Sequence, residues 1–189
     1  MTLRPGLLDD RRLAVAGEGS VAAAVSSALR ALGAQVHALP AVVLADEEGA
    51  AAWAGEHAPL HALIVDTSAT FATGGPEGLR LALEDTWRAT RAVATGALID
   101  TRAGGRLLLI APAPDAGPHA GSARAGLENL ARTLSVEWSR YGITAVAITP
   151  GASTADANVA QLVCFLVSPA GGYFSGCRFD LGSVAAARS

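Results

Sequence analysis

The sequence predicts an open α/β domain, a doubly wound parallel sheet with helices on both faces. Three observations carry this expectation. Short apolar runs suited to covered strands alternate along the chain with segments of helical spacing. The first run, 13–16 (LAVA), passes through GEGS into an Ala-rich helical segment at 21–32 that stops at Gly33. Residues 120–151 then spell a helix, a tight turn, a buried strand and a Pro150-Gly151 stop. With 189 residues and neither linker nor internal repeat, a single domain over 1–189 with a sizeable core is expected.

The elements follow in order. After Gly33, AQVHAL (34–39) reads as a second strand ended by Pro40, and AVVLAD (41–46) as a third that arrives almost at once. A parallel crossover takes about a dozen residues or more, so one crossover helix is deleted between these two strands. A polar, Ala-rich helix at 47–56 leads to the fourth strand, HALIVD (61–66), and TSATFATGGP is a loop. One long helix fits 77–99, where Leu79, Leu83, Trp87, Thr90 and Val93 share a face. RLLLIAP (106–112) is continuously apolar, as a strand covered on both sides should be. The helix at 120–140, the strand ITAVAIT (143–149), a helix at 159–168 and a last strand at 177–182 complete a sheet of about six to seven strands. The tail at 184–189 carries no structural signal.

Composition narrows the function classes. Hydrophobic residues make up 51% and charged residues only 16%, so much of the surface is bland or covered by a partner, and oligomerisation is expected. A net charge of −3 without a basic run argues against nucleic acid. No apolar run reaches the ~18 residues of a membrane span and no signal-peptide pattern opens the chain, so a cytoplasmic protein without membrane partners is expected. All 14 basic residues are arginine, which leaves no lysine to act as base, Schiff-base former or cofactor anchor. Cys164 and Cys177 lie in apolar surroundings and read as buried thiols. His37, His57, His61 and His119 have no metal-like spacing, and no metal site is expected.

The segments ARAGLENLARTLSVEWSRYGITAVAITPG (123–151) and FLVSPAGGYFSGCRFDLG (165–182) resemble the short-chain dehydrogenase/reductase family in its best-known helix and in its final helix and strand. The resemblance covers nearly the whole chain and implies a Rossmann-like fold, trimmed at the second crossover and at the loop after Pro150. It also implies a cofactor turn at Gly17, Gly19 and Ser20, an adenine-facing Asp46, a ribose-facing loop reaching Ser68, and a frame at Pro150 and Gly151. Each position has a plainer reading beside it. Gly17 and Gly19 make an ordinary strand-to-helix turn, in which Glu18 places a carboxylate where a pyrophosphate would sit. Asp46 caps the following helix, and Asp66, Thr67, Ser68 and Ala69 stand where the family has Asn-Asn-Ala-Gly.

Where the resemblance locates chemistry, the chain departs from it. The catalytic Tyr position holds Ala120, the Lys position Arg124, the Ser region Ala111 to Ala113 and the assisting Asn position Thr86. The residue that would select NAD or NADP is Pro40, so neither selector is present. No catalytic residue is expected, His119 beside the vacant position and Arg124 being the candidates that remain. Two expectations follow. In the first, a dehydrogenase-like protein without activity or bound cofactor acts through association, as a homodimer or homotetramer through 77–99 and 120–140 or with an active reductase subunit, since the family builds its two-fold interface from those helices. In the second, an NAD(P)-dependent oxidoreductase works without the usual tyrosine, through His119 or water, the cofactor carrying the hard chemistry.

Overall fold

The computed structural model describes residues 3–72, 74–99 and 104–182. Its elements are β1 (Arg12–Ala16), α1 (Ser20–Ala31), β2 (Gln35–Leu39), α2 (Ala41–Leu44), α3 (Glu47–His57), β3 (Ala62–Asp66), α4 (Ser68–Phe71), α5 (Gly75–Val93), β4 (Gly105–Ile110), α6 (Ala120–Glu137), β5 (Ile143–Thr149), α7 (Asp156–Val167) and β6 (Arg178–Asp180). All strand pairs are parallel, in the order β2-β1-β3-β4-β5-β6. The four central strands β1, β3, β4 and β5 are buried on both sides, the edge strands β2 and β6 are partly exposed, and the alternation of the central strands divides the core. Leu63, Val65, Leu107, Leu109 and Ala147 face α3, α5 and α6, while Val15, Ile64, Leu108, Ile110 and Ile148 face α1 and α7. The doubly wound parallel sheet read from the sequence is therefore the observed fold, and the tail at 184–189 lies outside the described residues.

One strand is corrected. Residues 41–44 form the helical turn α2, with Pro40 at its N-cap (φ −69°, ψ 145°), and β2 is left at the sheet edge. The reason is distance. Five strand residues span about 17 Å, and a parallel neighbour must first return over that length. Pro40 alone separates β2 from Ala41, so no return path exists. The chain runs from β2 through α2 and α3 to β3, so the deleted crossover expected between two strands falls with the second of those strands. A smaller difference lies in the loop after β3, which contains the single turn α4 and buries Phe71. The helix at 77–99 is observed as α5 continued by a wider π turn over Ala94–Leu98.

Two histidines on or beside the strands have pKa values lowered by their surroundings. The Nδ1 atom of His61 accepts the Arg12 N–H at 3.1 Å, a bond only the neutral ring can make, and its pKa is lowered from 6.5 by burial and then by the charges of Arg11 and Arg12. His37 is lowered by burial, by His57 packed edge-on at 4.9 Å and by Arg12. A histidine whose pKa falls on folding contributes stability above its unfolded pKa, and that contribution is lost as pH drops through the folded value. Thermal melts are therefore expected to shift downward on acidification below about pH 6.5. His61→Asn, whose Oδ1 can accept the same N–H without titrating, is expected to reduce that shift; an unchanged acid sensitivity would assign it elsewhere.

Candidate functional site

The crevice lies at the C-terminal ends of the strands, where open α/β sheets hold their ligands. β1 ends at Ala16, and Gly17 turns the chain at φ +127°, a conformation that requires glycine. A Cβ on Gly17 would also stand 2.7 Å from the Asp66 carbonyl oxygen, so turn and β3 touch backbone to backbone. Gly19 is the N-cap of α1 and Ser20 its first residue. Gly19 offers no side chain to the first-turn N–H groups, and a residue distant in sequence does so instead. Asp66 Oδ2, at the end of β3, accepts the Ala22 N–H at 3.0 Å. Its Oδ1 accepts the Ser68 N–H at 3.0 Å and the Ser68 hydroxyl at 2.6 Å. Asp66 is 2% exposed. Burial raises its pKa, the bonds from Ser68 and Ala22 pull the other way, and the nearby Asp156 carboxylate adds to the rise.

Gly17, Gly19 and Ser68 are thus brought together, but around a carboxylate of the chain itself. Asp46 is not part of this group. It is the N-cap of α3, its side chain accepting the Gly49 N–H at 2.8 Å, with Glu47 and Glu48 adding negative charge in the first turn. The strand that would have aimed Asp46 at an adenine is the helical turn α2.

On the other side of the crevice, α6 holds the positions where the resemblance located catalysis. Ala120 is its first residue and fully buried, in a cluster with Phe71, Ala82 and Ala123. The ring of Phe71 therefore packs at the position where the resembled family has a tyrosine. Arg124, one turn on and half-buried, donates from Nη1 to the Pro112 carbonyl at 2.8 Å and to the Pro150 carbonyl at 2.7 Å. These carbonyls follow β4 and β5, so the guanidinium ties the ends of two strands together. Burial works against its charge, Asp180 supports it and Arg178 opposes it. Gly151 donates its N–H to Thr154 Oγ1 at 2.8 Å and approaches the chain at Gly182, where a Cβ would come within 2.7 Å of the Gly182 Cα. His119 is the N-cap of α6, with no side-chain cap bond, and its carbonyl accepts the Ala123 N–H. Thr86 is fully buried and donates its hydroxyl to the Ala82 carbonyl at 2.6 Å, which leaves that hydrogen on its own helix.

Between the ends of β1 and β3, α2 and α5 lies a cavity of about 260 Å³, lined by apolar Leu39, Leu44 and Val65 and by acidic Glu18, Asp66 and Asp85. No arginine or histidine lines it. A dinucleotide pyrophosphate needs free N–H donors or cations. Here the Ala22 donor of the turn is occupied by a carboxylate, the charged side chains lining this cavity are all acidic, and Arg30, which lines the neighbouring cavity on the outer side of the glycine turn, donates to the Val36 carbonyl, so the residues of this cavity do not fit that group. Cys164 offers no nucleophile, since burial pushes its thiol up to about 11. Cys177 is half-buried rather than buried, and its thiol is raised for the same reason. Among the described residues no cluster of three or more His, Cys, Asp or Glu could hold a metal, and no helix is long and apolar enough to cross a membrane.

Phe71 and the role of Asp66 escaped the sequence reading. The only signal for Asp66 was an acid where the resembled family writes Asn. Phe71 was one aromatic in a polar loop and gave none.

The fold defines a class. No protein-family model matches the chain, and no curated protein matches it by sequence. Solved structures do match. The chain is similar to the citronellol catabolism dehydrogenase of Pseudomonas aeruginosa PAO1, with a TM-score of 0.76 and 24% identity over 96% of this chain and 98% of that one. It is similar to a short chain dehydrogenase from Mycobacterium smegmatis, with a TM-score of 0.75 and 19% identity over 97% and 95%. A hydroxysteroid dehydrogenase from Escherichia coli matches with a TM-score of 0.74 and 16% identity over 93% and 97%. The chain has the fold of the short-chain dehydrogenases/reductases.

Proposed function

We propose that this chain is a protein of short-chain dehydrogenase/reductase fold that performs no dehydrogenase chemistry and acts by association, as a homodimer or homotetramer or beside an active reductase subunit. One observation carries the reading. The place of the proton donor is filled by the cluster of Phe71 with Ala120, and Arg124, one turn on, is spent on two carbonyls. General acid catalysis needs a titratable group within hydrogen-bond reach of the substrate, and neither residue supplies one.

The outward face of α5 supports association. Arg80, Glu84, Trp87, Arg88, Arg91 and Thr95 recur at helical spacing opposite the core-facing Ala82, Ala89 and Val93. Trp87 is 44% exposed in the middle of this stripe and borders a groove of about 350 Å³ against α3. On α6, Leu127 and Leu134 cover the sheet and Val136 is 72% exposed. Exposed Trp and Arg side by side are the composition of an interface centre.

Sedimentation is expected to show a dimer or larger species at micromolar concentration, or a complex with an active reductase of the same fold. Trp87→Glu is expected to weaken that association by about tenfold or more while leaving the melting temperature of the monomer nearly unchanged, because the side chain is not part of the core. A strict monomer, alone and with such reductases, overturns the reading, and so does measurable oxidation or reduction with NAD(H) or NADP(H).

A further inference from the structure

We propose that Asp66 is a built-in anion, a side chain that occupies the N-terminal turn of α1 in place of a nucleotide phosphate and closes the crevice to dinucleotides. The inference deepens the reading of the crevice as non-catalytic and rests on it, but association plays no part in it, so the two can fail separately.

The geometry is specific. Asp66 reaches across 44 residues of sequence to the Ala22 N–H, which belongs to the first turn of a 12-residue helix. A helix N-terminus carries partial positive charge and favours an anion. This anion is covalently part of the protein, held at an effectively fixed concentration, and needs no translational entropy to bind. Its other oxygen is satisfied by both donors of Ser68, which fixes the carboxylate in place. Gly17 and Gly19 complete the seat. The Gly17 backbone lies against the Asp66 carbonyl, and a Cβ on Gly19 would stand 3.4 Å from Asp66 Oδ2 and from Ser68 Oγ. The glycines that let a backbone approach a pyrophosphate in other proteins here let it approach Asp66. Among the described residues the hydrogen-bond partners of the carboxylate are neutral, the Ala22 and Ser68 N–H groups and the Ser68 hydroxyl, and Glu18 and Asp85 line the same cavity. A phosphate arriving there meets like charges at short range in a partly desolvated site.

Two measurements test this. Calorimetric titration with NADH is expected to give no binding at 1 mM, on the order of the weakest affinity such a titration resolves, for the wild type. Asp66→Asn keeps the shape and an acceptor but removes the charge, and is expected to bring NADH into the measurable range, a gain of about tenfold or more. Wild-type binding below about 1 mM, or a neutralised variant that binds no better than wild type, overturns the proposal. The second measurement empties the seat. Asp66→Ala is expected to melt lower, and inorganic phosphate is expected to raise its melting point more than that of the wild type, with chloride of equal ionic strength as the reference. Should the alanine variant be unfolded at rest, the same phosphate titration is read as refolding. Equal phosphate responses of variant and wild type overturn the proposal.

Discussion

Rebuilding the tyrosine and lysine of the resembled reductases, as Ala120→Tyr with Arg124→Lys, is expected to destabilise the protein by about 3 kcal/mol or more and to produce no turnover of NADH or NADPH. Ala120 and Ala123 are fully buried against Phe71 and Ala82, and a phenol ring added at the first of them has no space unless Phe71 leaves. Forcing side-chain volume into a filled core costs about 1–3 kcal/mol and occasionally more. The second substitution removes a guanidinium that donates to the Pro112 and Pro150 carbonyls at 2.8 and 2.7 Å. Hydrogen bonds to a charged group contribute about 1.5–3 kcal/mol, and the lysine ammonium ends short of the Nη1 position from which the guanidinium donates to both carbonyls. For a chain of this size the sum corresponds to a melting point lower by roughly 6–12 °C. Denaturant unfolding of the double variant and of each single variant measures the two contributions separately. A double variant as stable as the wild type would mean that Phe71 yields readily, and that the catalytic positions were vacated without being refilled.

How much of this was legible in the sequence depends on whether a feature is local. The strand at 143–149 was read with its observed bounds because it is a continuous apolar run, with Gly142 at φ +71° before it and Pro150 after it. Local punctuation of that kind also placed β1, α1 and α6 within a residue or a few. The reading failed at 41–46, where adjacent valines favour a strand by propensity but the path length left by Pro40 forbids one. At the site, the departures from the resembled family were legible residue by residue: a tyrosine position holding Ala120, a lysine position holding Arg124. The contacts those residues make were not. The Asp66 to Ala22 bond, the packing of Phe71 on Ala120 and the tie from Arg124 to Pro150 each join segments far apart in sequence, and no periodicity announces them. Asp46 illustrates the middle case. Both of its readings could be written from the sequence, and the structure shows the cap.

The replacements share one physical pattern. A crevice that turns over substrate keeps donors, acceptors and charge unpaired until the substrate arrives, at a cost in stability. Here Asp66 is paired with three donors, Arg124 with two carbonyls and Thr86 with its own helix. Asp66 holds α1 to the end of β3, and Arg124 holds the ends of β4 and β5 together. A change to any of them is therefore expected to register first as a loss of stability, which is a readout available without a known substrate.

A large single-residue effect outside the crevice is expected from Gly171→Ala. Gly171 lies in the short 3-10 turn Pro169–Tyr173 that leaves α7 on the way to β6. Its backbone conformation is one that any residue adopts, so the constraint is space. A Cβ there would stand 2.2 Å from the Leu166 carbonyl oxygen and 2.4 Å from the Leu166 Cα, both backbone atoms in the last turn of α7. That carbonyl also accepts from Arg106 Nη1 at 2.6 Å, and the same nitrogen reaches the Ser168 carbonyl. Arg106 comes from β4 and is half-buried, with burial working against its charge, so it depends on these acceptors. Moving Leu166 to admit a methyl group therefore breaks the cap of α7 as well as its seat against α1. The expected cost is about 3 kcal/mol, the upper end of ordinary overpacking. Gly172→Ala is the control. Its Cβ would meet only the far end of the Arg106 side chain, 3.1 Å away, and the expected cost is below about 1 kcal/mol. Unfolding midpoints of the two variants measured side by side separate the cases. If both melt alike, the turn after α7 is loose enough to absorb a methyl group, and Arg106 does not hold it as tightly as its two carbonyl contacts imply.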